Sequence, residues 1–205
     1  MTFVKWIVSM VVAVLVVAGC GSSGSTKGDL TDKVNSSGSK YEGFALDPPL
    51  PRPSFALTDT TGEPYSFSDK TSGAPTLLYF GYTNCPDVCP TTMADIANAL
   101  KQVPASLRAK VDVVFVTTDV KHDTGPVIAS WLRHFDTGLP KQFVGLTGTQ
   151  DEIDAAQAAA HVTLATGDGA QHSAVVYLYG ADNYAHDSFA QSTDLAGQIA
   201  HDLQV

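Results

Sequence analysis

The stretch Tyr79-Phe-Gly-Tyr-Thr-Asn-Cys85-Pro-Asp-Val-Cys89-Pro90 joins a strand-like segment to a helix-like one. Upstream, Thr76 to Tyr82 is an apolar run bounded by Pro75 and the cysteine loop, which predicts a buried central strand. Downstream, Met93, Ile96, Ala97, Leu100 and Val103 fall on one face at helical spacing, so a helix is predicted from Thr91 to Val103, where Pro104 ends it. In an open α/β sheet, ligands meet the carboxyl ends of the strands. A strand, a loop with two cysteines and a helix therefore predict both a fold class and the place of its site.

The same alternation continues outward. Val111 to Thr118 reads as a second buried strand, and Pro126 to Phe135 as a helix turning Ile128, Trp131, Leu132 and Phe135 inward. Phe143 to Leu146 is a short strand, Gln150 to Ala160 an alanine-rich helix, and Ser173 to Tyr179 a third apolar strand. That strand turns through Gly180-Ala-Asp-Asn183 into Tyr184 to Ala190, and a last helix runs from about Thr193 to Leu203. Ahead of the central strand, Phe55-Ala-Leu57 and Tyr65-Ser-Phe67 flank Asp59-Thr-Thr-Gly62 as in a hairpin. The pattern predicts one α/β domain over 51–205, with parallel strands, crossover helices and antiparallel edges.

The N-terminal quarter reads differently. Residues 1–19 carry Lys5 and then an apolar run, Trp6 to Val17, of signal-peptide length and short of the roughly 20 residues that span a bilayer. Val17-Ala-Gly-Cys20 resembles a bacterial lipobox, in which Cys20 would carry lipid; the other reading is a single-pass anchor with an incidental cysteine. Either places the domain outside the cytoplasm, on the outer face of the cell membrane. Residues 20–50 are rich in Gly, Ser and Pro and read as a tether or spacer with a root-mean-square span of about 30 Å.

Among 205 residues, 12 are basic and 21 acidic, for a net charge of −9. That balance supplies no basic patch to displace counterions from phosphate, so nucleic acid is not an expected partner. Apart from Cys20, Cys85 and Cys89 are the only thiols. Three roles suit them: a redox pair, thiolate ligands for soft copper completed by an imidazole, or a permanent disulfide. Zinc would want two further ligands at recognisable spacing, and no second Cys or His pair is present.

Six histidines could supply a third ligand. His134 reads as exposed or capping its helix, and His161 and His201 as helix-end cations. His122 and His186 fall in polar stretches without special context. His172 follows Thr166-Gly-Asp-Gly169 and directly precedes an apolar strand, which gives it a modest lead. Asp87 reads as a solvated turn residue. A peroxidase reading, suggested by Thr83 two residues before Cys85, would want an arginine near the sulfur, for which Arg133 is the candidate.

Phe80-Gly-Tyr-Thr-Asn-Cys85-Pro-Asp-Val-Cys89-Pro-Thr-Thr92 resembles the signature of the Sco/SenC copper chaperones. Val116-Thr-Thr-Asp119 with Asp123-Thr124, Phe143-Val-Gly-Leu-Thr-Gly148 and His172-Ser173 extend the likeness over about Phe55 to Leu203. The resemblance implies a thioredoxin-like fold: a central mixed sheet flanked by helices, here with an N-terminal hairpin extension. It implies copper held by Cys85, Cys89 and His172, and delivery of copper to the binuclear site in subunit two of cytochrome c oxidase. It equally implies the alternative, a thiol–disulfide oxidoreductase that reduces partner cysteines through Cys85 and Cys89. Either role implies an upstream thiol reductant, because the disulfide cannot bind copper. The chain departs from the family pattern at Asp119-Val120, at His122-Asp-Thr-Gly125 and at Ala170-Gln171, beside the implied ligands rather than on them.

Overall fold

A computed structural model describes residues 39–163 and 174–205. In chain order it contains β1 (Phe44–Pro51), β2 (Ala56–Asp59), β3 (Pro64–Ser66), α1 (Phe67–Thr71), β4 (Thr76–Gly81), α2 (Val88–Gln102) and α3 (Ala105–Arg108). There follow β5 (Asp112–Thr117), α4 (Gly125–Asp136), β6 (Val144–Thr147), α5 (Gln150–Ala159), β7 (Val175–Tyr179), β8 (Tyr184–Ala190) and α6 (Leu195–Asp202). None of the described helices is long and apolar enough to cross a membrane. The lipobox, Cys20, His172 and residues 1–38 lie outside the described residues.

The strands form one mixed sheet in the order β1-β8-β7-β4-β5-β6-β2-β3. β4, β5 and β6 are parallel, and every other pairing is antiparallel. The three parallel strands are joined by α2 and α4, as expected from crossovers that pack back on the sheet with one hand. The expected hairpin is present as β2 and β3, docked on the sheet through β6.

Strand alternation divides the core. Leu77, Tyr79, Val113, Phe115, Val176 and Leu178 face α2, α4 and α6, while Leu78, Phe80, Val114, Val116, Tyr177 and Tyr179 face α1 and α5. All six residues of β4 are buried, so both faces of the central strand are covered. That explains why its sequence is apolar throughout rather than alternating.

Two expectations about boundaries change. The stretch expected to be the end of the tether is an edge strand: β1 pairs antiparallel with β8, with Phe44 opposite Ser188 and Leu50 opposite Ala185. The register shifts between Ala45 and Leu50, so the bulge takes up Pro48 and Pro49, which have no N–H to give to a ladder. The helix after the cysteines starts at Val88 instead of Thr91. Pro90 does not delay it, because a helix's first turn has no intrahelical use for the N–H that proline lacks. Two short helices, α1 and α3, have too few residues to display a period.

Arg52, just beyond the expected tether, fastens β1 to the lower edge of the sheet. Its guanidinium donates to Thr71 Oγ1 (2.8 Å), Thr76 Oγ1 (2.9 Å), Ala74 O (2.9 Å), Gly180 O (2.9 Å) and Asn183 Oδ1 (3.0 Å). It also lies over the rings of Tyr179 and Phe67, 5.3 and 5.9 Å from their centroids. Hydrogen bonds made by a charged group contribute about 1.5–3 kcal/mol each, against the burial that lowers the pKa of this guanidinium.

Candidate functional site

β4 ends at Gly81, the chain turns through residues 82–87, and α2 begins at Val88. Cys85 therefore sits in the loop and Cys89 in the first turn of the helix, at the carboxyl end of the central strand as the sequence implied. The two are not joined by a disulfide. Cys85 is half-buried and Cys89 is fully buried.

The surroundings make the two sulfurs unlike. The Cys89 N–H points at Cys85 Sγ over 3.3 Å. Burial alone would raise the Cys85 thiol, but the N–H groups of Cys89 and Asp87, with the side chains of Cys89 and Tyr82, outweigh it and hold the thiol below its ordinary value. Burial pushes the Cys89 thiol the other way, up to about 12. The Tyr79 hydroxyl lies 3.4 Å from Cys89 Sγ. Gly81 leaves room for that sulfur, since a Cβ there would sit 3.0 Å from Cys89 Sγ and 2.9 Å from the Tyr79 ring.

The loop is pinned from β5. Asp123, 1% exposed, accepts from Thr83 N (2.9 Å), Thr83 Oγ1 (2.5 Å) and Thr117 Oγ1 (2.6 Å). Three donors satisfy a buried carboxylate without a cation. They tie the chain two residues before Cys85 to the end of the neighbouring strand. Thr118 N adds a bond to Gly81 O at 2.7 Å. The Thr83 hydroxyl is thus engaged by Asp123, and Arg133 is exposed on α4. Neither arrangement advances the peroxidase reading.

Asp87 is exposed, as expected, and its carbonyl accepts from Thr91 N and Oγ1. His134 is exposed, with Nδ1 at 2.9 Å from Trp131 O. His161 is exposed at the end of α5, and His201 Nδ1 lies 2.7 Å from Asp202. Two histidines have more context than the sequence suggested. His122 Nδ1 lies 2.8 Å from Asp119 Oδ2, and His186, on β8, lies 2.6 Å from Asp182 with its ring stacked on Tyr41.

Among the described residues no three of His, Cys, Asp and Glu converge as a metal site. Two thiols side by side, one of them acidified, form the soft part of a copper donor set. The third implied ligand, His172, lies outside the described residues. The contacts of Tyr79, Tyr82 and Asp123 were not read from the sequence: the tyrosines sit at the end of an apolar run that signals only burial, and Asp123 is 38 positions from Cys85.

The SCO1/SenC family model matches residues 46–205. The mitochondrial SCO1 homolog of Mus musculus is 32% identical over 167 residues, covering 76% of this chain and 57% of that protein. An SCO2-like protein of Rickettsia felis is 41% identical over 102 residues, covering 48% of this chain and 45% of that one. The chain spans about half the length of the curated relatives it matches. The copper-bound structure of Bradyrhizobium japonicum ScoI superposes with a TM-score of 0.60 at 31% identity, covering 76% of this chain and 98% of that one. The apo Sco1 solution structure from Thermus thermophilus superposes with a TM-score of 0.67 at 27% identity, covering 80% and 95%. With the cysteine loop, the mixed sheet and a match over the whole folded part in agreement, the chain belongs to the SCO1/SenC family.

Proposed function

We propose that this chain is a copper-binding metallochaperone that helps assemble the binuclear copper site of cytochrome c oxidase, holding its cargo through Cys85, Cys89 and His172. The observation that carries the reading is the thiol pair itself. Two soft sulfurs stand at the carboxyl end of β4, with Cys85 already biased toward the thiolate that a soft cation binds. A relative of the same family, 31% identical, has been solved with copper bound. Uptake displaces the proton that Cys89 holds, so binding releases protons and strengthens as pH rises. Subunit two of the oxidase is the proposed recipient. Lipid on Cys20 is the proposed anchor to the outer face of the cell membrane, and an upstream thiol reductant keeps the pair reduced.

A second reading has its own observation. An acidified, accessible Cys85 beside a buried Cys89 is the asymmetry of a thiol–disulfide oxidoreductase, with one sulfur to attack and one to resolve.

Anaerobic Cu(I) titration of the reduced full chain against a competing chelator tests the first reading. One equivalent is expected to bind, Cys85→Ser/Cys89→Ser is expected to abolish binding, and His172→Ala is expected to weaken it at least about tenfold. Equal affinity in the double variant rejects the copper site, and undiminished affinity in His172→Ala removes the third ligand. Reduction of a partner's disulfide that survives His172→Ala, with no copper bound by the wild type, selects the second reading.

A further inference from the structure

The hydroxyl beside Cys89 belongs to a chain of polar groups that crosses an otherwise apolar core. Tyr79 and Thr92 are both buried. Tyr79 Oη lies 3.4 Å from Cys89 Sγ and is hydrogen-bonded to the Thr92 side chain. Thr92 Oγ1 donates to Gln191 Oε1 over 2.9 Å, and Gln191 Nε2 reaches Asp95 over 3.4 Å. Thus β4, α2 and the end of β8 are tied together directly behind the sulfur that solvent cannot reach. The Tyr79 hydroxyl has one hydrogen, and Cys89 and Thr92 are both able to take it. Thr92 spends its own hydrogen on Gln191 and so presents a lone pair to Tyr79. While Cys89 is a thiol, its S–H is given to Cys85 and its sulfur is only a weak acceptor, so Thr92 competes with it for the Tyr79 hydrogen. Once the sulfur is negative, the stronger acceptor is the sulfur, and a rotation of one O–H bond redirects the hydrogen without moving a heavy atom.

We propose that Tyr79, oriented by Thr92 and Gln191, is the positioning residue that stabilises charge on the Cys89 sulfur, both when it holds a soft cation and when it is expelled as the disulfide opens. The inference rests on the reading of Cys85 and Cys89 as the working pair. In the opening step, an external thiolate attacks Cys85 Sγ, the half-exposed member of the pair. A new sulfur–sulfur bond forms to Cys85 and the Cys85–Cys89 bond breaks. The electron pair leaves on Cys89 Sγ, which accepts the Tyr79 hydrogen bond and is later reprotonated as the thiols re-equilibrate, the proton balancing the one the attacking thiol gave up. A leaving thiolate that is better stabilised departs faster.

Tyr79→Phe removes one oxygen from a ring whose apolar packing is retained. The oxidised full chain is mixed with dithiothreitol, quenched with acid at intervals and read by mass. Tyr79→Phe is expected to open about tenfold more slowly than the wild type, the loss of one hydrogen bond to a charged group. Thr92→Val removes the acceptor that competes with the sulfur for the Tyr79 hydrogen, so this variant is expected to open as fast as the wild type or faster. A change in packing alone would not slow one variant and spare the other. Opening of Tyr79→Phe within about twofold of the wild type, or Thr92→Val slowed as much as Tyr79→Phe, overturns the proposal. Cu(I) titration of the wild type separates the two levels. No bound copper alongside slowed opening in Tyr79→Phe rejects the copper reading, and with it the cation-holding half of the proposal, and leaves the leaving-group role of Tyr79 standing.

Discussion

Cys85 and Cys89 are four residues apart and chemically dissimilar, and the difference is set by depth and by donors. Cys85 collects backbone N–H groups from the first turn of α2, where unpaired amides favour an anion, and these overcome the burial that opposes its charge. Cys89, one helical turn further in, is surrounded by Tyr79, Phe115 and the rest of the core, and desolvation raises it to about 12. Raising the pH should therefore ionise Cys85 first and Cys89 last. Alkylation of the reduced protein with iodoacetamide, followed by peptide mass, is expected to label Cys85 with a midpoint below that of an ordinary thiol. Labelling of Cys89 should stay negligible up to about pH 10, since even there roughly one thiol in a hundred is ionised. Equal labelling of the two at pH 7 would contradict the asymmetry on which both functional readings draw.

The elements around the loop explain how a segment with two cysteines is held in one geometry. β4 delivers it, α2 receives it, and the turn after β5 clamps it through Asp123. Asp123→Asn keeps the shape but replaces one acceptor oxygen by an NH2 group, so at least one of the three donors from Thr83 and Thr117 loses its partner. A stability loss of about 2 kcal/mol in urea denaturation is expected, with exchange of the Thr83 amide hydrogen accelerated at least about tenfold. Unchanged Thr83 exchange would mean that the clamp is not needed. The elements with a long apolar period (β4, β5, β7, α2 and α4) were legible in the sequence because burial on one or both faces dictates residue type directly. β1 was not, because prolines that read as a linker are accommodated in a bulge on an edge strand. At the site, both cysteines were legible as chemistry. Asp123, Tyr79 and Tyr82 were not, because their roles depend on contacts that chain order does not display.

At the scale of the molecule, the N-terminal strand is held at both ends by charged side chains, the half-buried Arg52 and the buried Asp202. Arg52 fixes its exit, and Asp202 on α6 fixes its entry by accepting from Glu42 N (2.9 Å) and Gly43 N (2.8 Å). Neither was legible, since Arg52 meets partners at positions 71 to 183 and Asp202 reaches back 160 residues. Asp202 faces a second carboxyl, Asp187 on β8, which is 1% exposed. Burial and the Asp202 carboxylate push Asp187 up to about 9, so it keeps its proton and donates it to Asp202, whose own value is lowered. The sign of the stability effect follows. Between about pH 4 and about 9 the folded chain holds a proton on Asp187 that the unfolded chain has released, so stability falls as pH rises across that window and levels off above it. Asp202 acts in the opposite sense, its stabilisation being present above the ordinary carboxylate range and lost as pH falls through its lowered folded value. His201, raised by Asp202, contributes stability that is lost as pH rises through its folded value, and it does so with or without Asp187. Lys40, which draws Asp187 back down, is likewise common to both proteins. Asp187→Asn presents an N–H to Asp202 at every pH and carries no proton to lose. The variant is expected to melt close to the wild type at pH 5 and about 4 °C or more above it at pH 8.5. Parallel melting curves from pH 5 to 9 would show that the two carboxyls do not share a proton in the folded protein.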